Sequence, residues 1–238
     1  MSTKYSRIML KLSGEMLGGH SGTCIEKDAI EFLAGEISHV HDKGYEIAVV
    51  IGGGNLFRGS FAESFEMERA SADYMGMLAT CMNALALQAV LEKRFSKYCR
   101  VMTAIHMPEL AEPYIRRKAL KHLREKRIVI FGGGTGNPLF TTDTAASLRA
   151  LEVGSQIILK ATKVDGIYDM DPLKSKEAKR YTNLTYIDVL SQKLGVMDAT
   201  AITMCMEANL PIKVFKLTGP GCVVEAIEND KIGTIVCN

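Results

Sequence analysis

Three kinds of residue in this chain could do chemistry together: lysines at the ends of apolar runs, a carboxylate behind two threonines, and glycine loops. Lys11 interrupts Ile8-Met9-Leu10 before Leu12, and Lys160 follows Ile157-Ile158-Leu159. An ammonium in such a run costs free energy unless it reaches solvent or an anion, so two lysines placed alike point to one ligand. The stretch from Arg127 to Asp143 reads RIVIFGGGTGNPLFTTD, and a second loop, VVIGGGNLFRG, begins at Val49. A third turn runs Lys11-Leu12-Ser13-Gly14. Glycine loops after strands let several backbone N–H groups converge on one oxyanion, for which phosphate is the natural occupant. Phosphoryl transfer asks the protein mainly for positioning and charge stabilisation, and a lysine pair above glycine amides provides both. Asp143 supplies the countercharge that would hold both ammonium groups, although taken alone it reads as a helix cap. Three such loops suggest two phosphorylated ligands.

Other patterns are excluded by spacing. Neither glycine loop contains GxxxxGK[ST], and Phe57 and Asn137 stand where the third glycine of GxGxxG would fall, which disfavours Walker and Rossmann sites. The six cysteines form no CxxC pair, and His39 and His41 would face different ways on a helix, so no protein-ligated metal is expected. The basic run from Lys174 to Arg180 contains Glu177 and reads as a solvated loop, not a nucleic-acid patch. The thirteen methionines read as core filling.

The elements that must position these residues follow from apolar periodicity. Strand-length runs occur at Ile8–Leu12, Ile47–Ile51, Cys99–Ile105, Arg127–Phe131, Gln156–Leu159, Ile212–Leu217 and Thr234–Cys237. Helical spacing occupies Lys27–Lys43, Ser64–Arg94, Glu109–Lys126, Thr142–Glu152, Ile187–Leu194, Asp198–Ala208 and Gly221–Glu228. Continuous Val/Ile strands alternating with helices predict a mainly parallel open sheet in a three-layer α/β/α sandwich, with ligands at the carboxyl ends of the strands. The helix over Ser64–Arg94 carries two apolar stripes, one through Met75, Leu78, Met82, Leu85 and Ala89, the other through Met77, Cys81, Ala84 and Leu87. One stripe suits the sheet, and the other suggests a subunit interface.

Length and charge bound the remainder. At 238 residues and 47% hydrophobic content the chain supports one sizeable core, and no low-complexity tract interrupts it. With 29 basic against 27 acidic residues there is no overall field to drive binding to nucleic acid or membrane. Lys4, Arg7 and Lys11 break the only N-terminal apolar stretch, so a signal peptide is not expected, and the unpatterned cysteines fit a reducing cytoplasm.

Five blocks, KLSGE from Lys11, VIGGGNLFRG from Val50, DYMGMLAT from Asp73, GTGNPLFTTD from Gly134 and LKATKVDGIYDMDP from Leu159, resemble in order the bacterial uridylate kinases of the amino acid kinase family. The resemblance spans the chain as a single domain, residues 1–238. It implies transfer from Mg-ATP to UMP, with Mg²⁺ carried on the ATP phosphates. It also implies a homohexamer and inhibition by UTP. Carried over by motif, Lys11, Leu12, Ser13, Gly14, Gly54, Arg58, Thr162, Tyr168 and Asp171 would meet ATP. Gly53, Asp73 and the run Thr135, Gly136, Asn137, Pro138, Leu139, Phe140, Thr141 and Thr142 would meet UMP. The N-terminal part would then hold mainly the UMP site and oligomer contacts, and the C-terminal part mainly the ATP site. At Gly22-Thr23-Cys24-Ile25-Glu26 the chain departs from the Gly-Phe-Gly-Ile-Asp-like stretch associated with GTP activation, which puts that activation in doubt. Two other readings stay open at this point: a kinase of a small carboxylate or carbamate in the same fold, and a nucleotide-sensing regulator.

Overall fold

A computed structural model describes residues 4–19, 24–58, 61, 64–172, 174–175 and 177–238. Gly22 and Thr23 of the divergent stretch, Gly59 of the second glycine loop and Lys176 of the basic run lie outside the described residues.

The chain runs β1 (Arg7–Leu12), α1 (Lys27–Asp42), β2 (Glu46–Ile51), α2 (Arg69–Phe95), β3 (Cys99–Thr103), β4 (Glu112–Pro113), α3 (Arg116–Arg124) and β5 (Ile128–Gly132). It continues through α4 (Thr142–Val153), β6 (Ile158–Thr162), β7 (Asn183–Leu184), α5 (Tyr186–Ser191), α6 (Ala199–Glu207), β8 (Ile212–Lys216), α7 (Cys222–Glu228) and β9 (Thr234–Val236). The strands form one nine-stranded sheet in the order β4-β3-β5-β2-β1-β6-β8-β9-β7. Among the strands of the described residues, only the β8–β9 pairing is antiparallel. All other neighbours run parallel, so β1, β2, β5 and β6 end at the same edge.

Each face of the sheet carries its own core. Ile8, Leu10 and Leu12 of β1 pack with Leu33 and Ile37 of α1, Leu87 of α2 and Val223 of α7. Met9, by contrast, packs with Ala146 and Ala150 of α4 and Ile202 of α6 on the opposite face. Strict alternation along a strand therefore sends Lys11 to the same side as Met9, toward α4. Lys160 lies beside Lys11 as its register partner on β6 and shares that face. The expected three-layer α/β/α sandwich is the observed fold.

The boundaries differ from expectation in particular places. The helix read over Glu109–Lys126 begins only at Arg116, because Glu112–Pro113 pairs with β3 at the sheet edge. Proline has no N–H to give and is tolerated at such an edge. The strand read as Gln156–Leu159 extends instead over Ile158–Thr162, which puts Lys160 inside β6 and not at its end. The long helix begins at Arg69, not Ser64. By length and composition α2 could cross a membrane; here Ala84, Leu87 and Leu91 are buried in the core of the sheet.

Candidate active site

Asp143 occupies the first turn of α4, and its carboxylate sits between the two lysines. Lys11 Nζ lies 2.6 Å from Oδ1 and Lys160 Nζ lies 2.8 Å from Oδ2, all three side chains being largely buried. Lys160 also donates to the Val196 carbonyl. The capping role falls to Thr141, whose hydroxyl oxygen accepts from the backbone N–H of Asp143 at 3.0 Å. Burial pushes the Asp143 carboxyl upward, but the adjacent ammonium groups of Lys11 and Lys160 outweigh it and leave its pKa below the ordinary value. For Lys160, burial is the largest influence and holds the pKa below that of an ordinary lysine, against the pull of Asp143. A protonated lysine with a lowered pKa and a spare donor direction is suited to meeting a phosphoryl oxygen.

Asp198 steadies this arrangement from behind. It caps α6, accepting from the Ala201 N–H at 2.9 Å. It also accepts from the hydroxyls of Thr141 at 2.5 Å and Thr144 at 2.9 Å, which ties the first turn of α4 to α6. Neither Asp198 nor the Val196 carbonyl stood out in the sequence. The one available signal, a helix starting near Asp198, says nothing of what its carboxylate reaches.

Two clefts flank the lysines. The smaller, of about 180 Å³, is lined by Gly53, Gly54, Asp73, Phe140, Thr141 and Thr142, with Phe57, Met77 and Thr80 added by the fold. Gly53 is required there by close approach: a Cβ would fall 2.8 Å from both the Gly76 carbonyl oxygen and Ala79 Cβ of α2. Asp73 Oδ2 accepts from the Leu139 N–H at 2.7 Å. Leu139 adopts a left-handed backbone with φ of 72°. Thr135 and Asn137 close a tight turn through the Thr135 hydroxyl. Gly136, Pro138 and Leu139 complete that loop, and none of the five residues Thr135, Gly136, Asn137, Pro138 and Leu139 lines the small cleft.

The larger cleft, of about 520 Å³, is lined by Lys160, Thr162, Tyr168 and Asp171 together with Val196 and Val214. Tyr168 donates to Asp165 at 2.6 Å. Lys11, Ser13, Glu15, Lys160, Thr162 and Lys163 surround a third depression of about 300 Å³, which shares Lys160 and Thr162 with the larger cleft. Leu12 is buried in the core, leaving only its backbone near the edge. Arg58 donates to the Gly54 carbonyl at 3.0 Å and pairs with Glu15, which also meets Lys163 at 2.7 Å. Among the described residues, no three His, Cys, Asp or Glu side chains converge as a metal site.

A parallel sheet with basic side chains and glycine turns at one carboxyl edge makes a site suited to phosphorylated ligands. The sequence profile of the amino acid kinase family matches residues 6–216, and the chain belongs to that family. It is similar to the solved UMP kinase from Bacillus anthracis, with 42% identity over 98% of this chain and 96% of that one and a TM-score of 0.95. The UMP kinase from Ureaplasma parvum is 38% identical, covering 99% and 100% of the respective chains, with a TM-score of 0.92. The uridylate kinase from Archaeoglobus fulgidus is 26% identical over 97% and 99%, with a TM-score of 0.74.

Proposed function

We infer that this chain transfers the γ-phosphoryl group of ATP to UMP, giving ADP and UDP. The observation that carries this reading is the Lys11–Asp143–Lys160 arrangement between two clefts, with Thr142 of the smaller cleft adjacent to Asp143 and Lys160 itself in the larger. UMP takes the smaller cleft, with Asp73 toward its ribose and the Thr135–Thr142 loop around the rest of the nucleotide. ATP takes the larger, its adenosine near Tyr168 and Asp171, its phosphates toward Lys11, Ser13, Gly14, Arg58 and Thr162, while Gly54, expected from the motif to meet ATP, lines the smaller cleft. Near-full-length likeness to two UMP kinases supports this acceptor over a carboxylate or carbamate.

The step joins an oxygen of the UMP phosphate to the γ-phosphorus while the bond to the β-bridging oxygen breaks and its electrons leave with ADP. The acceptor phosphate is already largely ionised at neutral pH, so no general base is needed. Lys11 and Lys160 offset the repulsion between two anions, and Asp143 holds both at fixed spacing. The carboxylates here are engaged, Asp143 by the lysines, Asp198 by hydroxyls and Glu15 by Lys163. In this reading a magnesium ion would be carried on the ATP phosphate oxygens, where it would add charge neutralisation.

In the same reading UTP inhibits by occupying the UMP cleft, and the protein is a cytoplasmic homohexamer. The outer face of α2 supports assembly: Leu78 and Met82 are 49% and 57% exposed, with Tyr74 and Met75 beside them. The decisive experiment is ADP release from Mg-ATP with UMP, CMP, AMP, GMP, acetylglutamate and aspartate as separate acceptors. Release confined to UMP is expected. Turnover of a carboxylate instead would overturn the assignment, and tight UMP or UTP binding without turnover would favour a regulator.

A further inference from the structure

Two asparagines that no part of this mechanism uses form a closed amide pair beneath the phosphate loops. Asn55 follows the glycines after β2, and Asn83 projects from the middle of α2; they are 5% and 0% exposed. Asn83 Nδ2 donates to Asn55 Oδ1 at 2.7 Å, and Asn55 Nδ2 returns a bond to Asn83 Oδ1 at 3.1 Å. The second donor hydrogens are used as well, Asn83 on the Gly52 carbonyl at 2.7 Å and Asn55 on the Cys24 carbonyl at 2.6 Å.

Burying two amides is costly unless every polar atom is matched, and an apolar pair would fill the space without that demand. What the amides add is direction: they fix main-chain carbonyls of the loops. Gly52, held from below by Asn83, donates its N–H to the Leu12 carbonyl at 2.9 Å. Gly14 presses on the same place, since a Cβ there would fall 2.5 Å from the Gly52 carbonyl oxygen and 2.6 Å from Asn55 Oδ1. The turn over Lys11–Gly14 and the loop over Gly52–Gly54 are thus spaced by one amide pair.

We propose that Asn55 and Asn83 are positioning residues that set the separation between donor and acceptor phosphates. This rests on the phosphoryl-transfer reading above. A misplacement on the order of 1 Å can cost about 10²-fold in rate. The test compares Asn55→Ala, Asn83→Ala, the double variant and the milder Asn83→Ser, by kcat, both KM values, calorimetric affinity for each nucleotide alone, and thermal melting.

The expected result is a fall of about 10²-fold in kcat with each KM and affinity within about threefold, and a double variant no worse than the poorer single. An unchanged kcat in a folded variant would overturn the proposal. So would affinity losses that track the rate, or failure of every variant, Asn83→Ser included, to fold, since a purely structural pair would behave that way. Absence of UMP-dependent ADP release in the unmodified chain would instead sink the assigned acceptor, and the split between kcat and KM is then read on the acceptor that does turn over.

Discussion

Thr141 caps α4 and Asp143 stands in its first turn, and the two divide the duties of that helix end. The hydroxyl of Thr141 receives the backbone N–H of Asp143, so the carboxylate of Asp143 is left to the two lysines. A carboxylate that capped its own helix would have had an oxygen committed to the backbone. Here both oxygens face cations.

Removing either lysine should therefore strip charge stabilisation while sparing the fold. Lys11→Ala and Lys160→Ala are each expected to lower kcat by about 10²–10³-fold, the cost of losing one preorganised donor. Steady-state kinetics alongside circular dichroism checks this; near-normal turnover in both would remove the mechanism.

The pH dependence has a defined sign. Burial sets the folded-state pKa of Lys160 below its ordinary 10.5 despite Asp143. Between the two values the unfolded chain binds more protons, so this group makes stability rise with pH there, while the charge needed for turnover disappears. The alkaline limb of kcat/KM, which reports the ligand-free enzyme, should thus fall below 10.5. In Asp143→Asn it should move lower still, because the counter-charge is gone. Asp143 acts in the same direction on the acid side: its depressed pKa contributes stability that is fully present above the unfolded carboxylate value and is lost as pH falls through the folded one. A pH–rate profile of both proteins and acid titration of unfolding test the two limbs.

Asp198→Ala removes the cap of α6 and the acceptor for Thr141 and Thr144. A loss of about 1–3 kcal/mol is expected from a missing cap and unpaired hydroxyls. Urea unfolding would show it as a lower midpoint at unchanged slope. No change in midpoint would mean that the tie between α4 and α6 is idle.

Gly53→Ala forces a methyl group against Ala79 and the Gly76 carbonyl of α2. Overpacking of this kind typically costs about 1–3 kcal/mol. Since Gly53 lines the small cleft, the KM for UMP should rise more than that for ATP.

Leu78→Glu and Met82→Glu place charge on the uncovered face of α2. If that face joins subunits, light scattering will show a smaller species than the parent protein. An unchanged mass would locate the interface elsewhere.

How much of this was legible in the sequence depended on whether a residue broke a local pattern. Lys11 and Lys160 did so, as lone cations in apolar strands, and so did the glycine triplets. The parallel sheet followed from Val/Ile runs alternating with helices. Glu112–Pro113 did not, because a two-residue edge strand leaves no periodicity and Leu110, Tyr114 and Leu120 mimic a helical stripe. Asp198, Asn55 and Asn83 were silent for a different reason. Each looks locally ordinary, and its importance lies in partners distant in the chain that only folding brings within hydrogen-bond reach.

The alignment of Lys11 with Lys160 on neighbouring parallel strands carries an unforgiving arithmetic. Side chains alternate faces at every residue, so sliding β6 by one position would turn its ammonium toward α1 and put Leu159 beneath Asp143. A chain trapped in that slipped arrangement would stay compact and helical by spectroscopy yet be inert. Refolded protein with native circular dichroism but lowered specific activity is the signature such a slip would leave.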